Sequence, residues 1–417
     1  MLRLITLALV GAVLIAAPLF LEPHSIGVLT TALIAALFAM AFNLLSGRAG
    51  MLSFGHAAYF AIGGFAVIHT MQAVESGAIW LPTPLVPLMG GVAGLIGGLG
   101  AGFFATRRSG VYFSMVTLAL AEMLHALAPN LGGFFGGEVG LTSMRMPWLA
   151  FDYGSENQVY FTVLAWTVFG IALLYAYNQT LFGRLTVGLR ESERRISFLG
   201  YNAHHTKIIV FGVSAMFSGI AGGLLAFATE SMNYSMLGMG MSASVVLHTF
   251  VGGSTVFLGP ALGALIFALF GSLVSDLTKN WLLYQGILFV LIMMFMGDGL
   301  AMLWIRIVNE CRSRNWDALR QRVLLLIPGL LITVGAITIL EVTSKILDQQ
   351  QYATSVARMN AWPPVSVFGV SWDPTSALTW LLPLVAILVG IGFVYLILAR
   401  KMQQRTGTII MSREPAR

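Results

Sequence analysis

Two ionisable side chains lie inside a long apolar stretch of the sequence and are the first candidates for chemistry. Glu122 and His125 fall within the apolar segment 111–129, and their spacing would place them on one face of a helix. An ionisable group at membrane depth is costly and marks a functional site by default. An internal hydrogen bond that fixes helix packing is an equally good interpretation. The predicted spans contain no relay of acids or histidines, which argues against a proton-driven carrier.

Charged and apolar residues are interleaved between positions 182 and 207. The stretch from Val187 to Leu199 predicts one short amphipathic helix between two spans, and Gly200 supplies its stop. Its charged members are Arg190, Glu191, Glu193, Arg194 and Arg195. A helix lying flat on anionic lipid is the alternative, but such helices are mainly basic, whereas this one carries both signs. We therefore expect a docking helix for a cytosolic protein.

The composition predicts that lipid, rather than water, surrounds most of the chain. Of 417 residues, 57% are hydrophobic and 10% are charged, against about 25% charged in soluble domains. The single cysteine, Cys311, excludes an internal disulfide and a cysteine-cluster metal site, and we predict no metal. The formal charge of +6 reflects membrane topology in our interpretation, with no nucleic-acid partner.

Apolar segments of near-spanning length recur along the chain and predict an all-α, polytopic membrane helix bundle of about twelve spans. They are 4–21, 26–46, 53–74, 84–106, 111–129, 158–177, 208–228, 257–275, 282–303, 323–341 and 377–398, with 241–255 as one short or re-entrant helix. Gly252 and Gly253 interrupt this last segment. The first segment is expected to be an uncleaved span rather than a signal peptide, because no small-x-small site precedes Glu22.

The distribution of basic residues predicts the orientation. With both termini cytoplasmic, all basic residues except Arg145, Lys279, Lys345 and Arg358 fall in cytoplasmic segments, as the positive-inside rule requires. We expect a multi-pass protein of a bacterial inner membrane. The predicted division is a permease core at 1–303, a basic cytoplasmic linker at 304–322, and an appended two-helix hairpin with a cytoplasmic tail at 323–417.

Glycines recur every four residues in one predicted helix, at Gly90, Gly94, Gly98 and Gly102. This spacing puts them in one stripe, where a second helix can approach closely. Tight helix packing is a far better interpretation of this stripe than a ligand site.

A glycine-rich segment after the second predicted span matches the pattern G-x-x-G-x-x-S-x-G-H-A at Gly47, Gly50, Ser53, Gly55, His56 and Ala57. This segment resembles the signature of LivM-type permeases of branched-chain amino-acid ABC importers. Further resemblances follow in order over residues 26–303. They lie at 117–119 with Glu122, at 132–133, 140–141, 189–202 and 214–223, and at 251–263 with Gly252 and Gly253.

The resemblance implies an all-helical type II ABC importer permease, paired with a homologous second permease and two cytosolic ATPase subunits. A periplasmic solute-binding protein would deliver branched-chain or related amino acids. No G-x-x-x-x-G-K-[ST] motif occurs in the chain, so we expect a permease subunit that is not itself an enzyme. It would bind no cofactor, and partner subunits would hydrolyse ATP.

Gate or translocation candidates are Ser53, Gly55, His56, Glu122 and the pair Gly252–Gly253. For His56, a structural histidine with satisfied hydrogen bonds is the better interpretation. Urea or short amides are alternative substrates within the family, and an ion-coupled secondary carrier is the competing class. The segment 323–417 lies beyond the resemblance.

Overall fold

The chain folds as a succession of helices joined mostly by short turns. The computed structural model describes residues 2–149, 151–275, 277–312, 316–347, 362–367 and 370–411. The helices are α1 (Leu2–Phe20), α2 (Pro23–Asn43), α3 (His56–Glu75), α4 (Pro87–Ala105), α5 (Val111–Leu127), α6 (Gly132–Phe135), α7 (Glu156–Gln179), α8 (Leu181–Glu191), α9 (Glu193–Phe198), α10 (Ala203–Thr229), α11 (Met239–Gly252), α12 (Gly259–Ser275), α13 (Trp281–Phe295), α14 (Gly299–Arg312), α15 (Trp316–Leu347) and α16 (Ala377–Met411). The short strands are β1 (Leu141–Thr142), β2 (Ser231–Met232), β3 (Val365–Val367) and β4 (Val370–Trp372).

The predicted polytopic helix bundle is confirmed. Eight of the described helical segments are long and apolar enough to cross a membrane, and they contain α2, α3, α4, α5, α7, α10, α15 and α16. The predicted span 282–303 is instead a pair of helices, α13 and α14, bent by 55° at a break. Gly299 begins α14 with a positive φ of 80°, a conformation that glycine adopts readily. α11 and α12 are apolar but shorter.

The centre of the first compact unit, residues 1–274 with 282–304, is built around α10. α10 packs against α2, α3 and α4, and α2, α3 and α10 are the most buried of the spans. All four glycines of the α4 stripe are buried. A Cβ on Gly94 would touch the carbonyl of Ala215 and come within 3.0 Å of Gly219 Cα. The two backbones are therefore close enough to exclude side chains between them.

The two ends of this bundle differ in charge and structure. One end carries α8, α9 and most of the unit's arginines, including Arg48, Arg107 and Arg184, and we call it the basic end. At the other end, the opposite end, β1 pairs antiparallel with β2, with Leu141 opposite Met232. α10 begins at the basic end and finishes at the opposite end. It is therefore a single continuous element between the two.

A second compact unit contains residues 275–281 and 305–417. Within it, α15 packs against α16, where a Cβ on Gly335 would lie 2.6 Å from the carbonyl of Pro383. The described part of the predicted 304–322 linker is helical, because α14 continues to Arg312 and α15 begins at Trp316. β3 and β4 form a hairpin in the predicted outer segment 342–376, and residues 348–361 of that segment lie outside the described residues.

Candidate functional site

The predicted docking helix is two helices, so the expectation of one helix from Val187 to Leu199 was wrong. α8 begins after Thr180, whose side chain accepts a hydrogen bond from the backbone N–H of Gly183. Ser192 has an extended backbone and caps α9 by accepting from the N–H of Arg195. Serine at such a break is favoured because its side chain replaces the missing helical acceptor. Gly200 follows α9 with a φ of +86°, as expected of a helix stop.

Arg190 joins the end of α8 to the glycine-rich segment. Its guanidinium donates a 2.7 Å hydrogen bond to the carbonyl oxygen of Gly47, within the π-helical turn Leu44–Arg48 that continues α2. Gly50 has a φ of +71°, and a Cβ on it would lie 3.0 Å from Cγ of Arg190. The absence of a side chain at Gly50 therefore lets Arg190 reach across to Gly47.

A second contact joins α9 to α10. The Lys207 ammonium lies 2.6 Å from a carboxylate oxygen of Glu193, and Lys207 is only 5% exposed. A buried amine that loses its carboxylate partner remains as an unpaired charge, which is strongly destabilising. The Glu193–Lys207 pair therefore fixes α9 to the basic end of the central helix.

The outward side of α9 is partly apolar, which the charge pattern alone did not predict. Phe198 is 90% exposed and Leu199 is 66% exposed. Glu191 and Arg195 form an exposed ion pair of 2.7 Å, a type of pair that contributes little stability. Two large apolar residues directly before a helix-stopping glycine are the sequence signal that could have identified this tip. We call Phe198 and Leu199 the apolar tip.

Ser53, Gly55 and His56 lie together at the start of α3, deep in the bundle. His56 is 0% exposed, and its Nε2 lies 2.8 Å from the hydroxyl of Ser214 on α10. Ser214 in turn donates to the carbonyl of Ala41 on α2, at 2.7 Å. Three helices thus meet at this histidine, and the rings of Phe42, Tyr59 and Phe211 pack edge-on around it.

The backbone around these residues is held against α5. A Cβ on Gly55 would collide with the carbonyl of Thr117, and the Ser114 hydroxyl donates a 2.5 Å hydrogen bond to the carbonyl of Leu52. Within the described part of the chain, Asn43 Oδ1 and His56 Nδ1 are buried without a hydrogen-bond partner. Buried polar atoms are rarely left unpaired. The glycine-rich segment is therefore tightly packed, but its polar groups are incompletely satisfied.

Gly252 and Gly253 contact other glycines at the end of α11. A Cβ on Gly252 would collide with the carbonyl of Gly259, and one on Gly253 would lie 2.6 Å from the carbonyl of Asp298. A Cβ on Gly47 would come within 2.9 Å of the carbonyl of Ser254. This contact brings the Gly252–Gly253 turn beside the π-helical turn that Arg190 touches.

Glu122 lies apart from the other gate candidates. It occupies the last two turns of α5, where its carboxylate is 3.7 Å from Nδ1 of His125 and both side chains are partly exposed. The ring of His125 stacks on Tyr234, with 5.7 Å between the ring centroids. The pair therefore shares one helix face, as its spacing predicts, but it belongs to the opposite end of the bundle.

At the opposite end, Arg145 caps the central helix, and its sequence context gave no sign of this role. Its Nη1 donates 2.9 Å hydrogen bonds to the carbonyls of Phe227 and Ala228, which belong to the last turn of α10. Its Nε lies 3.3 Å from a carboxylate oxygen of Glu230. Burial lowers the pKa of the Arg145 guanidinium, and the charge of Glu230 opposes that shift.

The first compact unit is a multi-pass bundle in which two short helices, α8 and α9, lie between the spanning helices α7 and α10. Over residues 25–297 the sequence matches the family described as branched-chain amino acid transport system / permease component. The chain belongs to this family of ABC-transporter permeases. No solved structure matches it.

Individual relatives point to two kinds of transport system. The chain is 25% identical over 312 residues to the high-affinity branched-chain amino acid transport system permease protein LivM of Escherichia coli, covering 69% of this chain and 72% of the relative. The corresponding LivM of Salmonella typhimurium is 26% identical over the same shares. The L-arabinose transport system permease protein AraH of Escherichia coli is 28% identical over 168 residues, which are 40% of this chain and 48% of that relative.

Proposed function

We propose that this chain is the membrane permease subunit of an ATP-driven importer for branched-chain amino acids. The observation that carries the proposal is the connection of α8 and α9 to the bundle through Arg190 and Glu193. A segment that is exposed on its outer side and anchored on its inner side is suited to transmit movement. The partners in this proposal are a homologous second permease, two cytosolic ATPase subunits and a periplasmic solute-binding protein.

The distribution of charge supports the proposed orientation. We place the basic end in the cytoplasm, because Arg48, Arg107 and Arg184 would then obey the positive-inside rule. Both termini and the apolar tip would face the same compartment. The ATPase subunits would meet the chain at the apolar tip, where Phe198 and Leu199 expose apolar area that a partner could bury.

Coupling would proceed through two contacts. Closure of the ATPase dimer would displace α9, and the Glu193–Lys207 pair would transfer that displacement to α10. Arg190 would transfer it to Gly47 and the π-helical turn. Both routes lead toward His56, which bonds to α10 and follows the glycine-rich segment. Rigid-body movement of helices between outward- and inward-facing states is the class of change this arrangement supports.

Branched-chain amino acids are the proposed substrate because the LivM relatives match 69% of the chain, whereas the AraH relative matches 40%. That second match favours a sugar such as L-arabinose as the other candidate. Urea and short amides remain alternatives within the family. The buried core of the described residues has few charged side chains, so it offers few groups that would hold a substrate tightly. Selection of the substrate would then rest with the solute-binding protein.

Uptake by intact cells tests the proposal. Deletion of the gene should abolish high-affinity uptake of radiolabelled leucine, and the wild-type gene should restore it. The Phe198→Asp, Leu199→Asp variant should insert in the membrane without restoring uptake. Burying two carboxylates against an apolar partner surface is costly, so the ATPase should no longer bind. Val139→Asp with Leu149→Asp changes two exposed apolar residues at the opposite end, and should still retain the ATPase on co-purification.

Three other outcomes would redirect the proposal. Loss of L-arabinose uptake instead of leucine uptake would replace the substrate but keep the class. Retention of the ATPase by the Phe198→Asp, Leu199→Asp variant would remove the docking site. Uptake driven by a proton or sodium gradient, with the chain alone in liposomes, would replace the class with a secondary carrier.

A further inference from the structure

A cavity at the basic end lies beside α8 and the π-helical turn, and its lining includes neither the apolar tip nor any of the gate candidates. Its volume is about 450 Å³, and it opens between the end of α7, the start of α8, the π-helical turn after α2 and the segment before α12. The residues that matter for its chemistry are Arg48, Tyr175, Asn178, Gln179, Arg184 and Phe257. No carboxylate is among the residues that line it.

The two arginines give this cavity its positive charge. Arg48 lies on the π-helical turn and Arg184 on α8, and neither guanidinium forms an ion pair or side-chain hydrogen bond with another residue that the structure describes. The first turn of α8 also contributes to the wall through Gly183, and a helix N-terminus carries partial positive charge. Guanidinium groups bind phosphate oxygens in a bidentate manner. The cavity is therefore suited to a phosphate-type anion.

Two side-chain amides add hydrogen-bonding capacity to the wall of the cavity. Asn178 and Gln179 line it beside the arginines. A side-chain amide can both donate and accept a hydrogen bond. A phosphate bearing a hydroxylated headgroup supplies both an anion for the arginines and a donor for these amides.

The surroundings of the cavity are those of a membrane interface. Tyr175 is exposed and packs edge-on against Phe257, with 5.5 Å between the ring centroids. Leu181 and Phe182, next in sequence to the cavity-lining part of α8, are also exposed. Aromatic residues concentrate at headgroup depth, and basic pockets between helices bind anionic headgroups. Exposed apolar side chains beside a cationic cavity fit a ligand with acyl chains.

We propose that this cavity binds the phosphodiester headgroup of an anionic phospholipid, such as phosphatidylglycerol. The phosphate would lie between Arg48 and Arg184 and join α8 to the turn that follows α2. This bridge would join the same two elements, α8 and the π-helical turn, that the hydrogen bond from Arg190 to Gly47 already joins. The lipid would act as a structural ligand, whatever substrate the chain transports.

Thermal unfolding of the purified full chain in detergent tests the proposal. Dioleoyl phosphatidylglycerol should raise the unfolding temperature in a saturable manner, whereas dioleoyl phosphatidylcholine should not. Arg48→Gln with Arg184→Gln should raise the half-saturating lipid concentration by about tenfold or more, because charge-assisted hydrogen bonds are lost. Arg108→Gln with Arg194→Gln removes the same charge from exposed positions outside the cavity and should leave the response unchanged.

Several results would overturn the proposal of an anionic-lipid site. Equal stabilisation by phosphatidylcholine would deny a preference for anionic lipid, and this comparison needs only the wild-type chain. An equal effect of inorganic phosphate would assign the cavity to a free anion. Equal weakening in both double variants would indicate general surface charge. Loss of the lipid response when the purified ATPase is added would assign the cavity to that protein. Partial retention in Arg48→Lys with Arg184→Lys would support the site.

Discussion

The guanidinium of Arg190 lies 2.7 Å from the carbonyl oxygen of Gly47, although 143 residues separate them in sequence. This hydrogen bond joins the protruding helices to the glycine-rich segment that precedes His56. A backbone acceptor within a π-helical turn is a natural point for transmission, because π-turns often mark functional sites in helices.

Replacement of Arg190 should uncouple transport from ATP hydrolysis. Arg190→Ala removes a charge-assisted hydrogen bond worth about 1.5–3 kcal/mol, so substrate uptake should fall by about tenfold or more while the ATPase still co-purifies. Arg190→Lys should have a smaller effect, because an ammonium can still donate to Gly47. The measurement is uptake per ATP hydrolysed in proteoliposomes.

Arg108→Ala is the matched control for Arg190→Ala. It removes an exposed arginine that lies outside α8 and α9, so its uptake-to-hydrolysis ratio should equal that of the wild type. An unchanged uptake-to-hydrolysis ratio in Arg190→Ala would show that the Gly47 contact carries no coupling.

The glycine stripe of α4 should tolerate alanine only where no helix approaches. Gly94→Ala places a methyl group against Ala215 and Gly219, and overpacking of this kind costs about 1–3 kcal/mol. Gly100→Ala on the same helix meets nothing within 4 Å, so its stability should be unchanged or slightly increased. Thermal unfolding in detergent compares the two, and equal unfolding temperatures would refute close α4–α10 packing.

The Arg145 cap should stabilise the opposite end of α10. Arg145→Met removes two hydrogen bonds to the carbonyls of Phe227 and Ala228, and we expect a loss of about 1.5–3 kcal/mol. Arg108→Met, an exposed arginine without a described side-chain bond, should change stability little. Hydrogen exchange at the end of α10 should increase in the first variant alone; equal exchange in both would argue against the cap.

The stability of the turn before α16 should decrease at acid pH. The hydroxyl and backbone N–H of Thr375 donate to Asp373, and these bonds lower the pKa of Asp373 below its ordinary value of 3.8. Because the native pKa is the lower one, the stabilisation is complete above 3.8 and is lost as the pH falls through the native pKa.

The test is hydrogen exchange of the peptide that contains this turn, corrected for intrinsic rates, from about pH 6 to about pH 3. Protection should decrease at the acid end in the wild type. Asp373→Asn should show no such titration. An identical pH profile in both proteins would assign the acid response to another group.

Hydropathy predicted most of the helices because a spanning helix requires about 20 apolar residues. It did not predict the break at Ser192, where a local capping bond competes with a continuous amphipathic pattern. It also did not predict the break before Gly299, where Gly297, Asp298 and Gly299 interrupt the apolar run.

The site was predictable as a set of segments but not as a set of contacts. The spacing of the α4 glycines predicted a packed face, yet nothing in that spacing identified α10 as its partner. His56 and Ser214 are 158 residues apart, and such pairs depend on how distant helices assemble. Local periodicity carries no information about that assembly.

Cysteine cross-linking tests the central claim, that the apolar tip is where the ATPase docks, most directly. In a Cys311→Ser background, the Phe198→Cys variant carries one thiol at the tip. We predict that it is shielded from a membrane-impermeant maleimide added outside the cell, and that a thiol-to-amine cross-linker joins it to the ATPase subunit. Leu149→Cys, at the opposite end, should react with the maleimide and give no such product. Labelling of the Phe198→Cys variant from outside, or the absence of an ATPase product, would contradict the account.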